Sequence, residues 1–305
     1  MLDGLFLIDK TNDCTSHDVV QRIRRIVRQK KIGHCGTLDP GATGLLVATA
    51  GKATRLTRFL IRAPKVYAGD ICFGSTTDTY DRHGTIVEQK DISGLVQPSI
   101  DQAIQELIGT YDQPAPPFSA KKHKGVKYYE MARRGEAVPE SAKSVSVFDF
   151  RATSELDGAT LAFELSCSSG TYVRSLAHVL GQKLGCGAHL AELRRLQVGP
   201  FRVDDAIGVE SLACRMEADS LEGPGWVPLD EIPLPFGELA ADSQQEQRIA
   251  HGHSVLFREL EGEAGDWVKL VDRRGHLLAV GTVSELIGRG NVGVVQPKIV
   301  FSQSI

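Results

Sequence analysis

The residue types best suited to chemistry are concentrated between residues 33 and 44. Four glycines and a proline in this stretch predict a tight loop, and the loop contains His34 and a single carboxylate, Asp39. A carboxylate presented by such a loop could act as a nucleophile or as a general base. Asp-Pro-Gly is also common turn chemistry, so a purely structural turn stays open at this point.

Several better-known catalytic patterns are incomplete in this chain. A phosphate-binding P-loop that ended at Gly51-Lys52 would need a glycine at position 46, which is leucine. Residues 166–170 lack the first glycine of a hydrolase nucleophile elbow, and no two histidines have metal-ligand spacing on a helix. The six cysteines include no C-x-x-C pair, which favours reduced thiols in the cytoplasm over disulfides or a zinc site.

The charge of the chain is unevenly distributed. The whole chain has 35 Lys and Arg against 38 Asp and Glu, a net charge of −3. Residues 1–200 carry 26 basic and 21 acidic side chains, a net of +5, whereas residues 201–305 carry 9 and 17, a net of −8. Chance could produce this asymmetry, but a basic body is also typical of a protein with a polyanionic partner.

Three acid-poor clusters carry most of the basic side chains of the first part. The first follows a helix start predicted at Thr15, the second has the spacing of one helix face, and the third has aromatic neighbours and follows three prolines. The ordinary interpretation of such a cluster is a surface that faces solvent. Solvent-exposed surfaces usually carry both positive and negative side chains, however, so the alternative is a surface that binds an anionic partner. The clusters are Arg22, Arg24, Arg25, Arg28, Lys30 and Lys31; then Lys52, Arg55, Arg58, Arg62 and Lys65; then Lys121, Lys122, Lys124, Lys127, Arg133 and Arg134.

The elements that must position these residues alternate between strands and helices. Strand-like segments come in pairs with helices between them, which favours an α+β fold with a mixed or antiparallel sheet. The predicted strands cover residues 4–9, 45–49, 66–73, 144–150 and 161–166, and the predicted helices begin at Thr15 and cover residues 100–107, 172–184 and 188–196.

The composition changes near Pro224. Four prolines within residues 221–235 predict a linker. A short helix at 244–249, strands at 267–271, 276–280 and 292–300, and a hairpin turn at 272–275 predict a small β-rich C-terminal domain. No apolar run approaches the ~20 residues of a membrane span, so we expect a cytoplasmic protein that does not bind membranes.

Residues 33–43 (GHCGTLDPGAT) strongly resemble the catalytic motif of the TruB-type pseudouridine synthases, which make pseudouridine in the T-loop of tRNA. The resemblance continues in order through PKVY at 64–67, FGSTTDTYD at 73–81, CSSGTYVRSL at 167–176 and LRRL at 193–196, the last interpreted as a closing helix. It covers about residues 4–203, and the last hundred residues match more loosely. Residues 11–14 (TNDC) lack the usual proline and glycine of the family, and Cys35 stands where a threonine is common.

This resemblance implies a fold, a reaction and a partner. The fold is the pseudouridine-synthase fold, a mixed, mainly antiparallel sheet flanked by helices, in residues 1–225, with an RNA-binding insertion at about 115–143 and a PUA-like RNA-binding domain at 226–305. The reaction isomerises uridine 55 in the T-loop of tRNA, by cleaving the N1–C1′ bond, turning the base and joining C5 to C1′. It needs no cofactor and no metal, and we expect a monomer whose partner is the T-arm stem-loop.

The resemblance also assigns site residues. Asp39 matches the catalytic aspartate, which acts on the ribose of a flipped-out nucleotide as nucleophile or base, and the sequence leaves both roles open. Arg174 matches the arginine that pairs with this carboxylate in catalysis. Tyr67 matches the catalytic tyrosine that stacks on the base and whose hydroxyl can also help to remove the C5 proton. His34 matches the residue that fills the space of the flipped base, and Tyr172 and Leu193 match further base contacts. The implied contacts to the RNA backbone are Arg22, Arg25, Lys31, Lys52, Arg55, Lys121, Lys122 and Lys124.

Two other functions stay open on the sequence alone. The basic clusters would serve an RNA-binding protein that chaperones tRNA folding, with catalysis absent or secondary. A cysteine-based transferase could use Cys35 as the nucleophile, with the neighbouring His34 as its base.

Overall fold

The computed structural model describes residues 1–114, 116, 122–123, 126–127, 134, 142–218, 220–258, 260–287 and 292–301. Its strands are β1 Gly4–Lys10, β2 Ile32–His34, β3 Thr43–Ala50, β4 Lys65–Phe73, β5 Ser75–Thr77, β6 Ile86–Gln89, β7 Gly109–Pro114, β8 Lys122–His123, β9 Val126–Lys127, β10 Ala142–Ala152, β11 Thr160–Cys167, β12 Ala188–Val198, β13 Phe201–Arg202, β14 Trp226–Pro228, β15 Glu238–Ala240, β16 Val255–Phe257, β17 Trp267–Val271, β18 Leu277–Ile287 and β19 Val292–Val300. Its α-helices are α1 Ser16–Ile26, α2 Thr57–Leu60, α3 Gln97–Gln105, α4 Val173–Lys183, α5 Val209–Glu217 and α6 Ser243–Ala250, and 3-10 turns cover Gly51–Leu56, Val203–Asp205 and Leu229–Glu231.

Among the described residues, ten strands form one large sheet with the order β14-β1-β3-β12-β4-β11-β10-β7, to which β2 and β13 are attached beside β3 and β12. The pairing of β12 with β3 is parallel, and the other pairs in this sheet are antiparallel. Helices pack against the sheet through apolar clusters. The predicted mixed, mainly antiparallel sheet flanked by helices is therefore confirmed.

Helix α1 forms where the sequence predicted it. Thr15 is the N-cap, its side chain accepts a hydrogen bond from the backbone of Asp18, and the Asp18 carboxylate accepts in return from the Thr15 backbone. The apolar face of the helix buries Val19, Val20 and Ile23 against the sheet. The cap fixes the point where the chain leaves β1, and this turn lies directly beside the loop at residues 33–44.

The helix predicted at residues 188–196 is wrong, because this segment forms β12, the strand between β3 and β4. Its alanines, leucines and arginines favour a helix locally, but the segment pairs with a neighbour on each side, and that tertiary pairing overrides the local preference. Two register shifts, between Leu190 and Glu192 and between Arg195 and Gln197, interrupt the two-residue alternation of the strand. The sequence pattern therefore does not have the period of a strand.

The prediction that the second basic cluster forms one helical stripe is also wrong. The chain makes a 3-10 turn and then the single-turn helix α2, and Lys65 already belongs to β4. The Lys65 ammonium is buried and donates to the carbonyl oxygens of Ile61 and Ala63 at 2.7 and 2.6 Å. Burial lowers the pKa of Lys65 to about 8. Lys65 therefore caps the end of the helical turn rather than facing solvent.

The C-terminal part contains a five-stranded sheet with the order β15-β17-β18-β19-β16 and helix α6, which confirms the predicted small β-rich domain. The segment predicted as a linker is instead packed, since β14 pairs with β1 at the edge of the large sheet and Ile232 is buried. Leu277 and Phe301 of this part share one apolar cluster with Leu5 and Leu45 of the large sheet. None of the helices in the described part of the chain has the length and apolarity to span a bilayer.

The third basic cluster is described only in part. Lys121, Lys124 and Arg133 lie outside the described residues, and the backbones of β8 and β9 pair as a short hairpin that includes Lys122. The strands that flank the predicted insertion, β7 and β10, pair with each other from Gly109 to Pro114.

Candidate active site

The loop at residues 33–44, here called the Asp39 loop, places Asp39 against the buried side chain of Arg174. The Arg174 Nε lies 2.9 Å from Asp39 Oδ2, and 7% of the Arg174 side chain is exposed against 46% for Asp39. The sequence predicted this pair. The structure buries the guanidinium and leaves the carboxylate half-exposed, so one face of the carboxylate stays open to a ligand.

A second carboxylate, Asp81, also faces Arg174. The Arg174 Nη1 lies 3.4 Å from Asp81 Oδ2 and donates to the carbonyl oxygen of Thr79 at 2.8 Å. Tyr80, which lies between these two residues, has a φ of 64°, and its ring stacks on His178 with centroids 3.9 Å apart. The left-handed backbone at Tyr80 thus directs both neighbours toward the arginine. The sequence analysis did not select Asp81, although it belongs to the FGSTTDTYD motif.

The backbone of the Asp39 loop is held by Lys10 at the end of β1. Its buried ammonium donates to the carbonyl oxygens of Pro40 and Ala42 at 3.1 and 2.6 Å, and to that of Thr11 at 2.9 Å. Burial lowers the pKa of the Lys10 ammonium. The lysine links the residues on the C-terminal side of Asp39 to the sheet, and a lysine in this short strand gave no sequence signal of that role.

Ser16, the first residue of α1, holds the other side of the loop. Its hydroxyl accepts a hydrogen bond from the Leu38 N–H at 2.8 Å and contacts the Leu38 carbonyl oxygen at 3.1 Å as a donor. Ser16 is buried, and Leu38 directly precedes Asp39. One hydroxyl therefore fixes the peptide group from which the carboxylate projects.

We expect Ser16→Ala to lower the rate of the chemical step about 10-fold and the free energy of unfolding by about 1–3 kcal/mol, because it leaves two buried polar groups without this partner. The control is Thr15→Ala, which removes the N-cap of the same helix at a cost of about 1 kcal/mol but does not touch the loop. Rate constants and urea unfolding of both variants separate the two effects. Equal rates in the two variants would contradict a role for Ser16 in positioning Asp39.

Tyr67 and the Asp39 loop share a contact with Arg195, a fully buried residue of β12. The Arg195 Nε donates to the carbonyl oxygen of Leu45 at 2.7 Å, and its Nη2 donates to that of Gly36 at 3.1 Å. Burial raises the pKa of the Tyr67 hydroxyl, while the charge of Arg195 and its side-chain hydrogen bond with Tyr67 oppose this rise. Arg195 was not predicted as a site residue, because LRRL was interpreted as a closing helix and the sequence does not show that this arginine is buried between two strands.

The close approach of β12 to the Asp39 loop also explains why position 44 is a glycine. Gly44 has a φ of 95°, and a Cβ at this position would lie 2.3 Å from the carbonyl oxygen of Arg195. Only glycine allows this backbone conformation together with the parallel pairing of Gly44 and Arg195. The loop is therefore built to bring β3 and β12 into contact beside Asp39.

His34 is half-buried at the start of the loop. Its Nδ1 accepts a hydrogen bond from the Gly36 N–H at 3.3 Å. Burial lowers the pKa of His34, and the positive charges of Arg195 and His17 lower it further. The neutral imidazole is thus favoured, which suits a ring that occupies space beside a base more than one that binds a phosphate.

Leu193 and Tyr172, the remaining predicted base contacts, lie on either side of this arrangement. Leu193 lies on β12, where its carbonyl oxygen accepts from the Thr43 hydroxyl at 3.4 Å, and both residues line a surface cleft of about 280 Å³. Tyr172 is the N-cap of α4, two residues before Arg174. The structure therefore brings all six predicted site residues onto the Asp39 loop and the three elements β4, α4 and β12.

The first two basic clusters differ in their surroundings. Arg25 and Lys31 are exposed, and Arg22 forms an ion pair with Glu210 at 3.0 Å. Lys52 and Arg55 donate to the backbone carbonyl oxygens of Phe301 and Val300 in the C-terminal domain.

Arg58 continues this contact, since its guanidinium lies 4.6 Å from the ring centroid of Trp267. The second cluster therefore holds the two parts of the chain together. A contact of Lys52 and Arg55 with RNA stays a prediction.

The chemistry that this site offers is that of one half-exposed carboxylate, a buried guanidinium and a buried phenol. Within the described ranges, no three His, Cys, Asp or Glu side chains are grouped so as to hold a metal ion. Cys35 lies in an apolar cluster with 1% of its surface exposed, and burial raises the pKa of its thiol to about 12. A thiol that is buried and protonated at neutral pH argues against the cysteine-based transferase.

Comparison with known proteins gives consistent matches along most of the chain. Residues 24–173 match the model of the TruB family pseudouridylate synthase N-terminal domain, and residues 174–239 match that of the tRNA pseudouridylate synthase B C-terminal domain. The tRNA pseudouridine synthase B of Solibacter usitatus is 40% identical over 283 residues, which cover 92% of this chain and 96% of that protein. The protein of the same name from Thermobifida fusca is 36% identical over 312 residues and covers 100% of both chains.

Two solved structures are similar over nearly the whole chain. A chain in the structure of an H/ACA RNP bound to a substrate RNA containing 2′-deoxyuridine has a TM-score of 0.74 and 23% identity, and the match covers 99% of this chain and 86% of that one. A chain in the crystal structure of a Cbf5-Nop10-Gar1 complex has a TM-score of 0.74 and 25% identity, with coverage of 99% and 85%.

Proposed function

Because the chain belongs to the TruB family of pseudouridylate synthases, we propose that it isomerises uridine 55 in the T-loop of tRNA to pseudouridine without a cofactor. It is an enzyme with the pseudouridine-synthase fold that the sequence predicted. The observation that carries the proposal is the contact of the half-exposed Asp39 carboxylate with the buried Arg174 guanidinium. This contact keeps an ionised oxygen accessible to a ribose while it fixes the direction in which that oxygen points.

One carboxylate is sufficient for the bond changes of this isomerisation. As a nucleophile, Asp39 attacks C1′ and the electrons of the N1–C1′ bond pass to N1 of the uracil; the base then turns, and C5 displaces the carboxylate from C1′. As a base, Asp39 removes the proton at C2′ while the same glycosidic bond breaks and a C1′=C2′ double bond forms; C5 of the turned base then adds to C1′ as the proton returns from Asp39 to C2′. In both routes C5 loses a proton and N1 gains one, so the atoms of substrate and product balance without a redox partner.

The base must leave the stacked T-loop before the carboxylate can reach its ribose. Flipping costs a few kcal/mol of unstacking, and stacking on an aromatic ring returns roughly 1–3 kcal/mol per base. We assign Tyr67 to this stacking and Tyr172 and Leu193 to further base contacts, while His34 fills the vacated space. Arg195 pairs with Tyr67 across β12 and β4 and donates to the Gly36 carbonyl oxygen, which links the strand of Tyr67 to the Asp39 loop.

The surface around the site supports an RNA substrate. Exposed basic residues of the first cluster, Arg25 and Lys31 among them, lie on the C-terminal part of α1, whose first residue contacts the Asp39 loop, and on the segment after it. Basic residues of this kind contact phosphates. We assign residues 1–225 to a catalytic body with an RNA-binding insertion at about 115–143, and residues 226–305 to a PUA-like RNA-binding module. We expect the monomer to act on the T-arm in the cytoplasm.

The test is conversion of an unmodified T-arm stem-loop by the purified chain in the presence of EDTA. We expect about one pseudouridine per RNA at the T-loop position, and mapping by carbodiimide-dependent primer extension identifies the nucleotide. A requirement for added metal would overturn cofactor independence, and modification at another nucleotide would overturn the T-loop assignment. Tight RNA binding and strand annealing without any isomerisation would support the chaperone function instead.

A further inference from the structure

Gln113, at the end of β7, holds the backbone of Tyr172 by both ends of its side-chain amide. Its Nε2 donates to the Tyr172 carbonyl oxygen at 3.1 Å, and its Oε1 accepts from the Tyr172 N–H at 2.7 Å. Only 3% of Gln113 is exposed. A buried amide that bonds both the N–H and the C=O of one residue fixes the position and the orientation of that residue's backbone.

The contact lies at the N-terminus of α4, where the N-cap residue supplies no side-chain cap. Tyr172 is the N-cap of α4, and among the described residues its own side chain makes no capping hydrogen bond. An N-cap residue usually supplies a side-chain oxygen at this point, and tyrosine cannot. Gln113 instead anchors the N-cap backbone from outside the helix. Arg174 follows two residues later in the first turn, so its guanidinium depends on where this helix begins.

Lys143, the cross-strand neighbour of Gln113, holds the N-terminal end of the segment that leads to Tyr172. Lys143 on β10 pairs with Gln113, and its ammonium donates to the Ser169 carbonyl oxygen at 2.9 Å. A Cβ at Gly170 would lie 2.0 Å from the Lys143 Nζ, so the lysine lies directly against this turn. The β7–β10 pair thus supports residues 169–172 at two points, and the chain between these two strands is the predicted insertion.

We propose that Gln113 is a positioning residue for the isomerisation, which sets Tyr172 against the base and the start of α4 so that Arg174 reaches Asp39. The proposal rests on the proposed function. The predicted insertion leaves the sheet between β7 and β10. The proposal therefore means that this strand pair also supports Arg174. Gln113 touches no reacting atom and acts through the backbone of Tyr172.

Two substitutions and one control test this role. Gln113→Leu removes both hydrogen bonds at similar volume, and Gln113→Glu keeps the acceptor for the Tyr172 N–H but loses the donor to its carbonyl oxygen. The control is Asp112→Asn, on the exposed side of the same strand. For each variant we would measure the single-turnover rate on the T-arm stem-loop at saturating enzyme, the RNA affinity, and hydrogen exchange of peptides covering residues 168–176 in the free protein.

We expect the single-turnover rate to fall about 10- to 100-fold in Gln113→Leu, less in Gln113→Glu, and not in Asp112→Asn, with RNA affinity within about 3-fold of the parent chain. Exchange in residues 168–176 should become faster in the same order. A merely structural role would lower the melting temperature and leave the rate of the folded enzyme unchanged, which would overturn the proposal. If Gln113→Leu does not fold, Gln113→Glu decides the same comparison.

The exchange measurement separates this proposal from the proposed reaction. If the parent chain made no pseudouridine but Gln113→Leu loosened residues 168–176, the reaction would be overturned and the hold on Tyr172 supported. Unchanged exchange in that segment would overturn the hold on Tyr172 whether or not the chain is active.

Discussion

Asp39→Asn should lower the single-turnover rate of pseudouridine formation by about 10⁴-fold or more, the size of loss seen when a nucleophile or its base is removed. The amide has nearly the shape of the carboxylate and its oxygen still accepts from the Arg174 Nε, so the loop should keep its structure. What the amide lacks is the negative charge and the basic electron pair, and both routes at the ribose require these. The measurement is a rapid-quench time course with enzyme in excess over the T-arm stem-loop.

A matched control distinguishes lost chemistry from a damaged site. Asp149→Asn makes the same substitution at an exposed position of β10, two strands from the strand of Tyr67, and we expect its rate to stay within about 3-fold of the parent chain. RNA affinity should be retained in both variants, because the basic surface is unchanged. Near-normal turnover by Asp39→Asn would show that another group attacks the ribose.

The second large effect is expected for Arg174→Lys, which should slow the chemical step by about 10²- to 10³-fold although the charge is kept. Arg174 directs Nε to Asp39 and Nη1 to Asp81 and the Thr79 carbonyl oxygen. A single ammonium on a flexible stem cannot hold these groups in the same directions at once. Single-turnover rates measured together with RNA affinity assign the loss to chemistry rather than to binding.

Asp81→Asn is the companion variant for this prediction. It keeps an oxygen that can accept from Arg174 and removes one of the two carboxylates, so we expect a smaller loss than in Arg174→Lys. If Arg174→Lys worked within about 3-fold of the parent chain, a simple positive charge beside Asp39 would suffice. The geometry of the guanidinium would then have no catalytic role.

Signals from residues that are close together in the sequence were sufficient to predict much of the fold. Thr15 and Asp18 predicted the start of α1 because a capping box involves residues three positions apart. The strands at β4 and β11 were also predicted to within about one residue at each end, since their buried side chains recur in every second position. Such features depend on neighbours along the chain, and the sequence displays those neighbours directly.

The predictions that were wrong have a common physical cause: the conformation of these segments depends on pairing with residues that are distant in the sequence. The segment of β12 favours a helix by composition, and its strand conformation comes from β3 and β4, which are distant in sequence. For the site, the motif resemblance indicated Asp39, Tyr67 and Arg174, the side chains to which the proposed chemistry is assigned. It did not indicate Ser16 or Gln113, whose proposed positioning roles rest on hydrogen bonds to backbone groups 22 and 59 residues away.

The contact of the second basic cluster with the C-terminal domain has a consequence for the thermodynamics of RNA binding. Each phosphate that a protein cation neutralises releases condensed counterions, and affinity then falls with salt in proportion to the number of such contacts. Lys65 is buried in β4, and the guanidinium of Arg58 lies over the Trp267 ring of the C-terminal domain. The salt dependence of binding should therefore be weaker than a count of the basic side chains in residues 1–200 suggests.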